Sequence, residues 1–293
     1  MKERRWLIIF FSVVFLIIAV TFSFILPPRN FPTNLVIDIP TGSTTSQIAD
    51  LLYQNKIIRS TKIFELVVLR QEVAEHLKAG FYQFEKPLII GQVVRRLTEG
   101  LFANNPVKFT VPEGLSVEQL AVLTEQNFSG INQTSFLLAA SSSAGFLFPD
   151  TYLLPSQLKS EQLVKLMRAN FDERIEELKP KINQAGHSLE KNIKMAALVE
   201  EEAKTKIDRR IIAGILWKRF DVEMKLEVDV ATSTYQTVGF PPTPIVSPGL
   251  ESIEAALSPE ITPYWFYLSD KQGKMHYART FAEHQNNIAR YLK

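Results

Sequence analysis

The chain has 293 residues, of which 46% are hydrophobic and 22% are charged, so it can bury at least one full core and disorder is excluded as its dominant state. It contains no cysteine, which excludes disulfides, thiolate metal sites and a cysteine nucleophile. Its 33 basic and 31 acidic residues leave a net charge of +2, and this balance predicts no nucleic-acid partner.

An apolar segment near the N-terminus predicts a membrane anchor. Trp6–Leu26 comprises 21 residues without a charge, and a helix of that length spans the ~30 Å hydrocarbon core of a bilayer. A cleaved signal peptide is the alternative, but its apolar stretch would be shorter and small residues would follow it. Because three basic residues precede the segment, we expect a single-pass protein of the cell membrane with a cytoplasmic N-terminus and an extracytoplasmic bulk.

Two stretches of the chain, 72 residues apart, resemble each other. Ile39–Ala49 and Val111–Ala121 both pass from an apolar strand-like segment through a Pro-x-Gly turn to a Ser or Thr at a helix N-cap position. The pattern predicts a strand–turn–helix unit used twice, with helices over 63–69 and 90–97 and a strand over 80–84 between the copies. A small α+β packing domain and a LysM-like module that lies along a glycan both fit, because a repeat shows shared structure and does not show binding.

The small, turn-rich stretch Ala139–Gly145 predicts a junction between domains. We therefore expect a cytoplasmic tip and anchor over residues 1–30, a small α+β module over residues 31–135 and a larger α+β domain over residues 136–293. The larger domain contains the segments that suggest chemistry.

The strongest of these segments is a helix that ends in three consecutive glutamates. In the run Ile193–Glu202, Glu202 follows Val199 by three residues and Leu198 by four, which places it on the apolar face of the helix. The other two glutamates of the triplet project from other faces of the helix. A carboxyl group among apolar neighbours tends to stay protonated near neutral pH, as a general acid must. A solvated helix end is the ordinary alternative for such a triplet.

The rest of the larger domain predicts supporting structure. The expected elements are an aromatic strand with a Pro-Asp turn over 146–152, a core helix over 208–220 capped by Asp208, an ordered proline-rich loop over 239–249, a hairpin with strands 264–268 and 276–278, and a final helix over 280–291. His276 and His284 in the tail have no third ligand in view, so no metal site is predicted.

With these motifs in this order, the chain resembles the YceG-like (MltG) endolytic murein transglycosylase family from about Val36 to Leu292. The matching segments are Phe148–Tyr152, Val199–Glu202, Gly239–Ile245 with Pro248 and Gly249, and the tail from His276 to His284. The resemblance implies an α+β enzyme on a single transmembrane helix, with a LysM-like module over 31–135, a catalytic domain over 136–293 and no cofactor. It further implies internal cleavage of peptidoglycan between N-acetylmuramic acid and N-acetylglucosamine, 1,6-anhydro product ends, and association with penicillin-binding synthases.

The resemblance also implies roles for individual residues. Glu202 matches the catalytic glutamate that closes the family's Val-Glu-Lys-Glu-Thr helix, the same residue that the helical face selects. The implied substrate-binding residues are Asp150, Tyr152, Asp229, Tyr235, His276 and His284.

Several positions depart from the family pattern. Ala144 stands where a glutamate is usual, Glu201 and Ala203 flank the catalytic position in place of Lys and Thr, and Val230 replaces a proline in a shortened segment. One alternative is therefore a non-catalytic scaffold that binds glycan and recruits cell-wall synthases. A second is a hydrolase, which would need a further carboxylate, from Asp150 or Asp229, near Glu202.

Overall fold

The computed structural model describes residues 23–33, 35–40, 42–100 and 106–292, and these form a mixed α+β fold, as the sequence predicts. Within these ranges the strands pair two by two: β1 (Leu35–Ile39) with β2 (Gly80–Phe84), β3 (Val107–Thr110) with β4 (Thr151–Leu154), and β5 (Phe266–Ser269) with β6 (Met275–Ala278). In chain order the helices are α1 (Thr45–Gln54), α2 (Thr61–Arg70), α3 (Ile90–Glu99), α4 (Val117–Asn127), α5 (Gln133–Ala140), α6 (Ser160–Glu177), α7 (Lys179–Gln184), α8 (Leu189–Glu202), α9 (Lys206–Asp221), α10 (Ser233–Gln236), α11 (Leu250–Leu257) and α12 (Phe281–Tyr291).

The described residues divide into two compact units. The first contains the residues up to Phe109 together with Tyr152–Leu158, and the second contains Thr110–Thr151 and the residues from Lys159 onward. The boundary between residues 135 and 136 stays a prediction, and in the structure residue 135 lies inside the second unit.

The core of the first unit lies between an antiparallel ribbon and three helices. Strands β1 and β2 pair from Leu35 opposite Phe84 to Ile39 opposite Gly80. Aliphatic and aromatic side chains from both strands and from α1, α2 and α3 fill this core. The buried Tyr82 hydroxyl donates to the Lys78 carbonyl oxygen at 2.8 Å, which satisfies the one polar atom that this side chain brings into the core.

The two strand–turn–helix copies form as predicted. Thr44 caps α1 and Ser116 caps α4, and each takes part in a capping box with the glutamine three residues later. The turns before the helices contain Gly42 and Gly114, both at φ +78°, a conformation that favours glycine.

The core of the second unit is built on α8, α9 and α11, which pack against one another. Helix α8 buries Met195, Leu198 and Val199 almost completely, and α9 buries Ile212 and Leu216 against them. The Trp217 indole nitrogen donates to the Ala256 carbonyl oxygen at 2.9 Å, which links α9 to α11 inside the core. This packing fixes the end of α8, and therefore the three glutamates.

Two local predictions were wrong. Thr205, and not Asp208, caps α9, because its hydroxyl accepts the Asp208 backbone N–H at 3.1 Å while the Asp208 carboxylate accepts from that hydroxyl. The aromatic run 146–150 is irregular, and the strand begins only at Thr151. A proline at position 149 lacks the N–H that a strand ladder needs.

The predicted membrane anchor Trp6–Leu26 lies outside the described residues up to residue 22. In the part of the chain that the structure describes, no helix combines the length and the apolar character that crossing a bilayer requires. The anchor stays a prediction.

Candidate active site

Glu202 is the last residue of α8, and it lines a cavity of about 490 Å³. The helix places it there because Leu198 and Val199, one turn earlier, are buried in the core. The cavity is lined by Glu202, Arg219, Glu227, Asp229, Tyr235, Phe266, Tyr267, Leu268, Ser269, Phe281, His284, Ile288 and Leu292. It is therefore assembled from the ends of α8 and α9, the segment that follows α9, the C-terminal hairpin and α12.

The cavity changes the acidity of Glu202. Burial raises the pKa of this carboxyl to about 7, and the negative charge of Asp229 adds to the increase. The Tyr267 hydroxyl and the Asp229 backbone N–H oppose part of this shift, because both stabilise the carboxylate. Near neutral pH the group therefore exists in both its protonated and its ionised form, which a group that gives and then takes back a proton requires.

Asp229 and Tyr235 form a pair on the wall of the cavity. The Tyr235 hydroxyl donates to Asp229 Oδ1 at 2.5 Å. Burial, and then the hydrogen bond to Asp229, raise the pKa of Tyr235 to about 12, so the phenol stays protonated. The structure thus brings two predicted substrate-binding residues together beside Glu202.

Arg219 is a buried cation at the cavity that the sequence indicated only as part of a core helix. Its Nε donates to the Trp265 carbonyl oxygen at 2.9 Å and its Nη1 to the Leu226 carbonyl oxygen at 2.7 Å. It therefore connects the residue just before strand β5 to the irregular segment just before Asp229. The spacing of residues along α9 could not reveal this role, because both hydrogen bonds go to backbone atoms outside the helix, and one of them, in Trp265, is 46 residues away along the chain.

Tyr267 lines the same cavity from strand β5. Its hydroxyl oxygen is shielded from solvent and has no hydrogen-bond partner of standard geometry in the described chain. Burial, and then the charge of Glu202, raise its pKa well above its ordinary value. The sequence showed this residue only as one member of an aromatic strand.

Of the two predicted histidines, only His284 lines the cavity. It stacks on Phe266 with a ring separation of 5.4 Å, and burial lowers the pKa of its imidazole, which favours the neutral form. His276 instead bonds to Asp270 Oδ2 at 2.8 Å and stacks on Tyr291 at 3.6 Å. In the structure His276 therefore holds the hairpin turn against α12.

Asp150 and Tyr152 are not among the cavity-lining residues. Asp150 Oδ2 accepts from Asn170 at 3.1 Å and pairs with Arg174 at 3.5 Å, which connects the Pro-Asp turn to α6. Tyr152 is buried and belongs to the first compact unit. Their predicted contact with substrate stays a prediction.

Glu200, two residues before Glu202, has a different environment. Its Oε1 accepts from Arg209 Nη2 at 3.0 Å and its Oε2 accepts the Gly249 backbone N–H at 2.8 Å. Arg209 also contacts Glu251 at 2.6 Å and Glu113 at 4.0 Å. We call this set, Glu113, Glu200, Arg209 and Glu251, the Arg209 cluster. It connects α8 to α9, to the start of α11 and to the turn before α4.

Gly249 lies directly against the Glu113 carboxylate of the Arg209 cluster. A Cβ at Gly249 would lie 2.0 Å from the Glu113 carboxyl carbon, so a larger residue would displace this half-exposed side chain. Burial, and then the charge of Glu200, raise the pKa of Glu113. The cluster is a structural ion network around Glu200, whereas Glu202 is the member of the triplet that lines the cavity.

No group of three or more acidic or histidine side chains in the described ranges is arranged to hold a metal ion. The side chains that line the cavity offer carboxyl, phenol, imidazole and guanidinium groups.

Comparison with known proteins adds to this geometry. The family profile described as YceG-like matches residues 37–233 and 232–290. An endolytic murein transglycosylase of Bacillus subtilis is 28% identical over an alignment of 313 positions, and the alignment covers 90% of this chain and 86% of that protein. An endolytic murein transglycosylase of Streptococcus pneumoniae is 23% identical, and the match covers 90% of this chain but only 59% of that protein.

A solved structure is similar as well. The crystal structure of a YceG-like protein from Listeria monocytogenes has a TM-score of 0.57 and 26% identity, and the match covers 86% of this chain and 98% of that one. The residues that match the family profile extend over both compact units. The chain therefore belongs to the YceG-like family.

Proposed function

We propose that the chain is a lytic transglycosylase that cleaves peptidoglycan strands internally, between N-acetylmuramic acid and N-acetylglucosamine, and leaves 1,6-anhydro ends. Relatives from two organisms bear the name endolytic murein transglycosylase, which supports this substrate and reaction. The observation that carries the proposal is Glu202 in its cavity, where burial raises its pKa to about 7.

In the first step Glu202 acts as a general acid. Its protonated carboxyl gives a proton to the bridging oxygen, and the bond between that oxygen and C1 of N-acetylmuramic acid breaks. The leaving sugar departs as a neutral alcohol, and an oxocarbenium-like centre develops at C1. The Asp229 carboxylate, close enough to raise the pKa of Glu202, supplies negative charge near that centre.

In the second step the same residue acts as a base. The Glu202 carboxylate takes the proton of the 6-hydroxyl group of the same muramic acid while that oxygen bonds to C1. The proton count of the enzyme is restored and no water is consumed. Because the nucleophile belongs to the sugar already bound, the attack is intramolecular and gains the advantage of proximity.

The other cavity residues provide polar contacts for a sugar. Asp229, Tyr235 and His284 line the cavity with acceptor and donor groups, and Phe281 and Leu292 add apolar surface. Such a mixture suits a ring with hydroxyl, acetamido and lactyl groups.

The test is mass spectrometry of the products after the full-length chain, in detergent, is incubated with uncrosslinked glycan strands. We expect internal fragments with 1,6-anhydro ends from the parent chain and none from the Glu202→Gln variant. Undiminished cleavage by the variant would remove Glu202 from its role.

Two other outcomes would identify a different function. Products ending in reducing muramic acid would indicate a hydrolase, for which Asp229 is one of two further carboxylates, with Glu227, that the cavity offers. Binding of strands without cleavage by either chain would indicate the non-catalytic scaffold, which the departures at Ala144 and Val230 favour.

The proposal includes a location, a binding module and a partner. Residues 1–30 would anchor the chain in the cell membrane through Trp6–Leu26, residues 31–135 would contact glycan as a LysM-like module, and residues 136–293 would cleave it. Penicillin-binding synthases would be partners through the membrane segment. Membrane fractionation with and without residues 1–30 tests the anchor, and co-purification of the two forms with a synthase tests the partner.

A further inference from the structure

The Tyr267 hydroxyl is buried beside Glu202 without a hydrogen bond of standard geometry in the described part of the chain. The hydroxyl is fully enclosed, yet it has no partner of standard geometry among the described residues. Burying a polar atom in this way costs stability, so such atoms are rare and each calls for an explanation. Tyr267 lines the same cavity as Glu202.

The surroundings of Glu202 contain few donors that could stabilise its ionised form. Glu201 on its own helix and Asp229 both repel a negative charge there, and the Tyr235 hydroxyl is already bonded to Asp229. The other charged or titratable groups at the cavity are Arg219, Glu227 and His284. Arg219 is held by two backbone carbonyl oxygens and by Glu227 at 3.6 Å. His284 Nδ1 and the Tyr267 hydroxyl are the two buried polar atoms of the described cavity residues that lack a partner of standard geometry. Of these two groups, the Tyr267 hydroxyl is the one that acts on the Glu202 carboxyl as a side-chain donor.

We infer that Tyr267 is a positioning residue that donates a hydrogen bond to the Glu202 carboxylate once Glu202 has given its proton to the bridging oxygen. This inference rests on the proposed function. The phenol keeps its own proton throughout, so the step only strengthens an existing contact while the charge develops. It holds the carboxylate in place for the second step, in which Glu202 takes the proton of the 6-hydroxyl group.

The first measurement is a direct titration of Glu202. The full-length chain is labelled with ¹³C at the glutamate carboxyl carbon, and the Glu202 signal is identified by its absence from Glu202→Gln. In Tyr267→Phe we expect the midpoint of this signal to move up by about one pH unit, the size expected when a carboxylate loses one charged hydrogen bond. An unchanged or lowered midpoint would overturn the inference, and the result does not depend on whether the chain cleaves glycan.

The second measurement is the pH profile of glycan cleavage. Because the acid must be protonated, the alkaline limb of kcat/KM should move to higher pH in Tyr267→Phe by the same interval, with an equal or higher melting temperature. Tyr264→Phe is the matched control, since it removes the same atom from a tyrosine outside the cavity lining. A uniform loss of rate at every pH in Tyr267→Phe would indicate a packing role instead. Absence of cleavage by the parent would instead contradict the proposed function, and the titration would still decide the role of Tyr267.

Discussion

Glu200 and Glu202 lie two residues apart at the end of α8, and the structure gives them different surroundings. Glu200 is bonded to Arg209 and to the Gly249 backbone N–H, with only 6% of its side chain exposed. Among the described residues no cation is bonded to Glu202, which faces a cavity where burial and the charge of Asp229 raise its pKa to about 7. Burial alone therefore does not make a carboxylate reactive. A buried glutamate with a cation beside it, such as Glu200, stabilises the fold. A buried glutamate without one, such as Glu202, can act as an acid.

The largest expected effect is on the rate. Glu202→Gln should lower kcat for glycan cleavage by about 10²–10⁴-fold, the range lost with a general acid and base. Glu200→Gln should keep most of the rate and lose stability instead, because an amide keeps one acceptor but not the charge that Arg209 requires. Equal losses of rate in the two variants would break the distinction between the two positions.

The next effect is on stability. Arg209→Met should lower the free energy of unfolding by about 3–5 kcal/mol, because it leaves the buried Glu200 carboxylate without its cation. Arg210→Met is the control on the same helix. Arg210 pairs with Glu260 at 2.9 Å with half of each side chain exposed, so its loss should cost less than about 1 kcal/mol. Urea unfolding at pH 7 measures both, and similar midpoints would show that the Arg209 cluster is not structural.

A third effect concerns pH. The folded-state pKa of Glu202 lies above its unfolded value, so its contribution to stability is fully present below about pH 4.5 and is lost as the pH rises toward 7. The parent chain should therefore lose roughly 3 kcal/mol relative to Glu202→Gln between pH 4.5 and 7.5. Unfolding curves of the two chains across this range measure the difference. A constant gap would mean that Glu202 titrates normally.

The smallest expected effect is a shift in the pH profile of cleavage when Asp229 is replaced. Removing its charge in Asp229→Asn should lower the pKa of Glu202, and the alkaline limb of the cleavage profile should move to lower pH by up to about one unit. Asp221→Asn, a change at an exposed carboxylate that pairs with His187, is the control and should leave the profile in place. An upward shift in Asp229→Asn would contradict the assigned electrostatics.

The part of the site that follows from helical periodicity was predictable. Glu202 was selected because a residue three and four positions after buried Val199 and Leu198 must share their face, and the structure places it at the cavity. The resemblance added Asp229, Tyr235 and His284, which the structure brings to the same cavity. It also added Asp150 and His276, which instead bond to groups outside the cavity lining.

What the sequence missed depends on atoms that are distant along the chain. Arg219 looked like one member of a core helix and Tyr267 like one member of an aromatic strand. Arg219 matters because it donates hydrogen bonds to particular backbone oxygens, and Tyr267 matters because its buried hydroxyl has no hydrogen bond of standard geometry among the described residues. No local pattern contains that information.

The strand–turn–helix units, the face of α8 on which Glu202 lies and the α+β class follow from the amino-acid sequence alone, because turns, caps and helical periodicity are local properties of the chain. The compensation of Glu200 by Arg209, and the cavity that Glu202 shares with Asp229 and Tyr267, follow only from the folded structure. Charge compensation and burial are set by the packing of segments that are distant along the chain, and these two quantities fix the acidity of a carboxyl group.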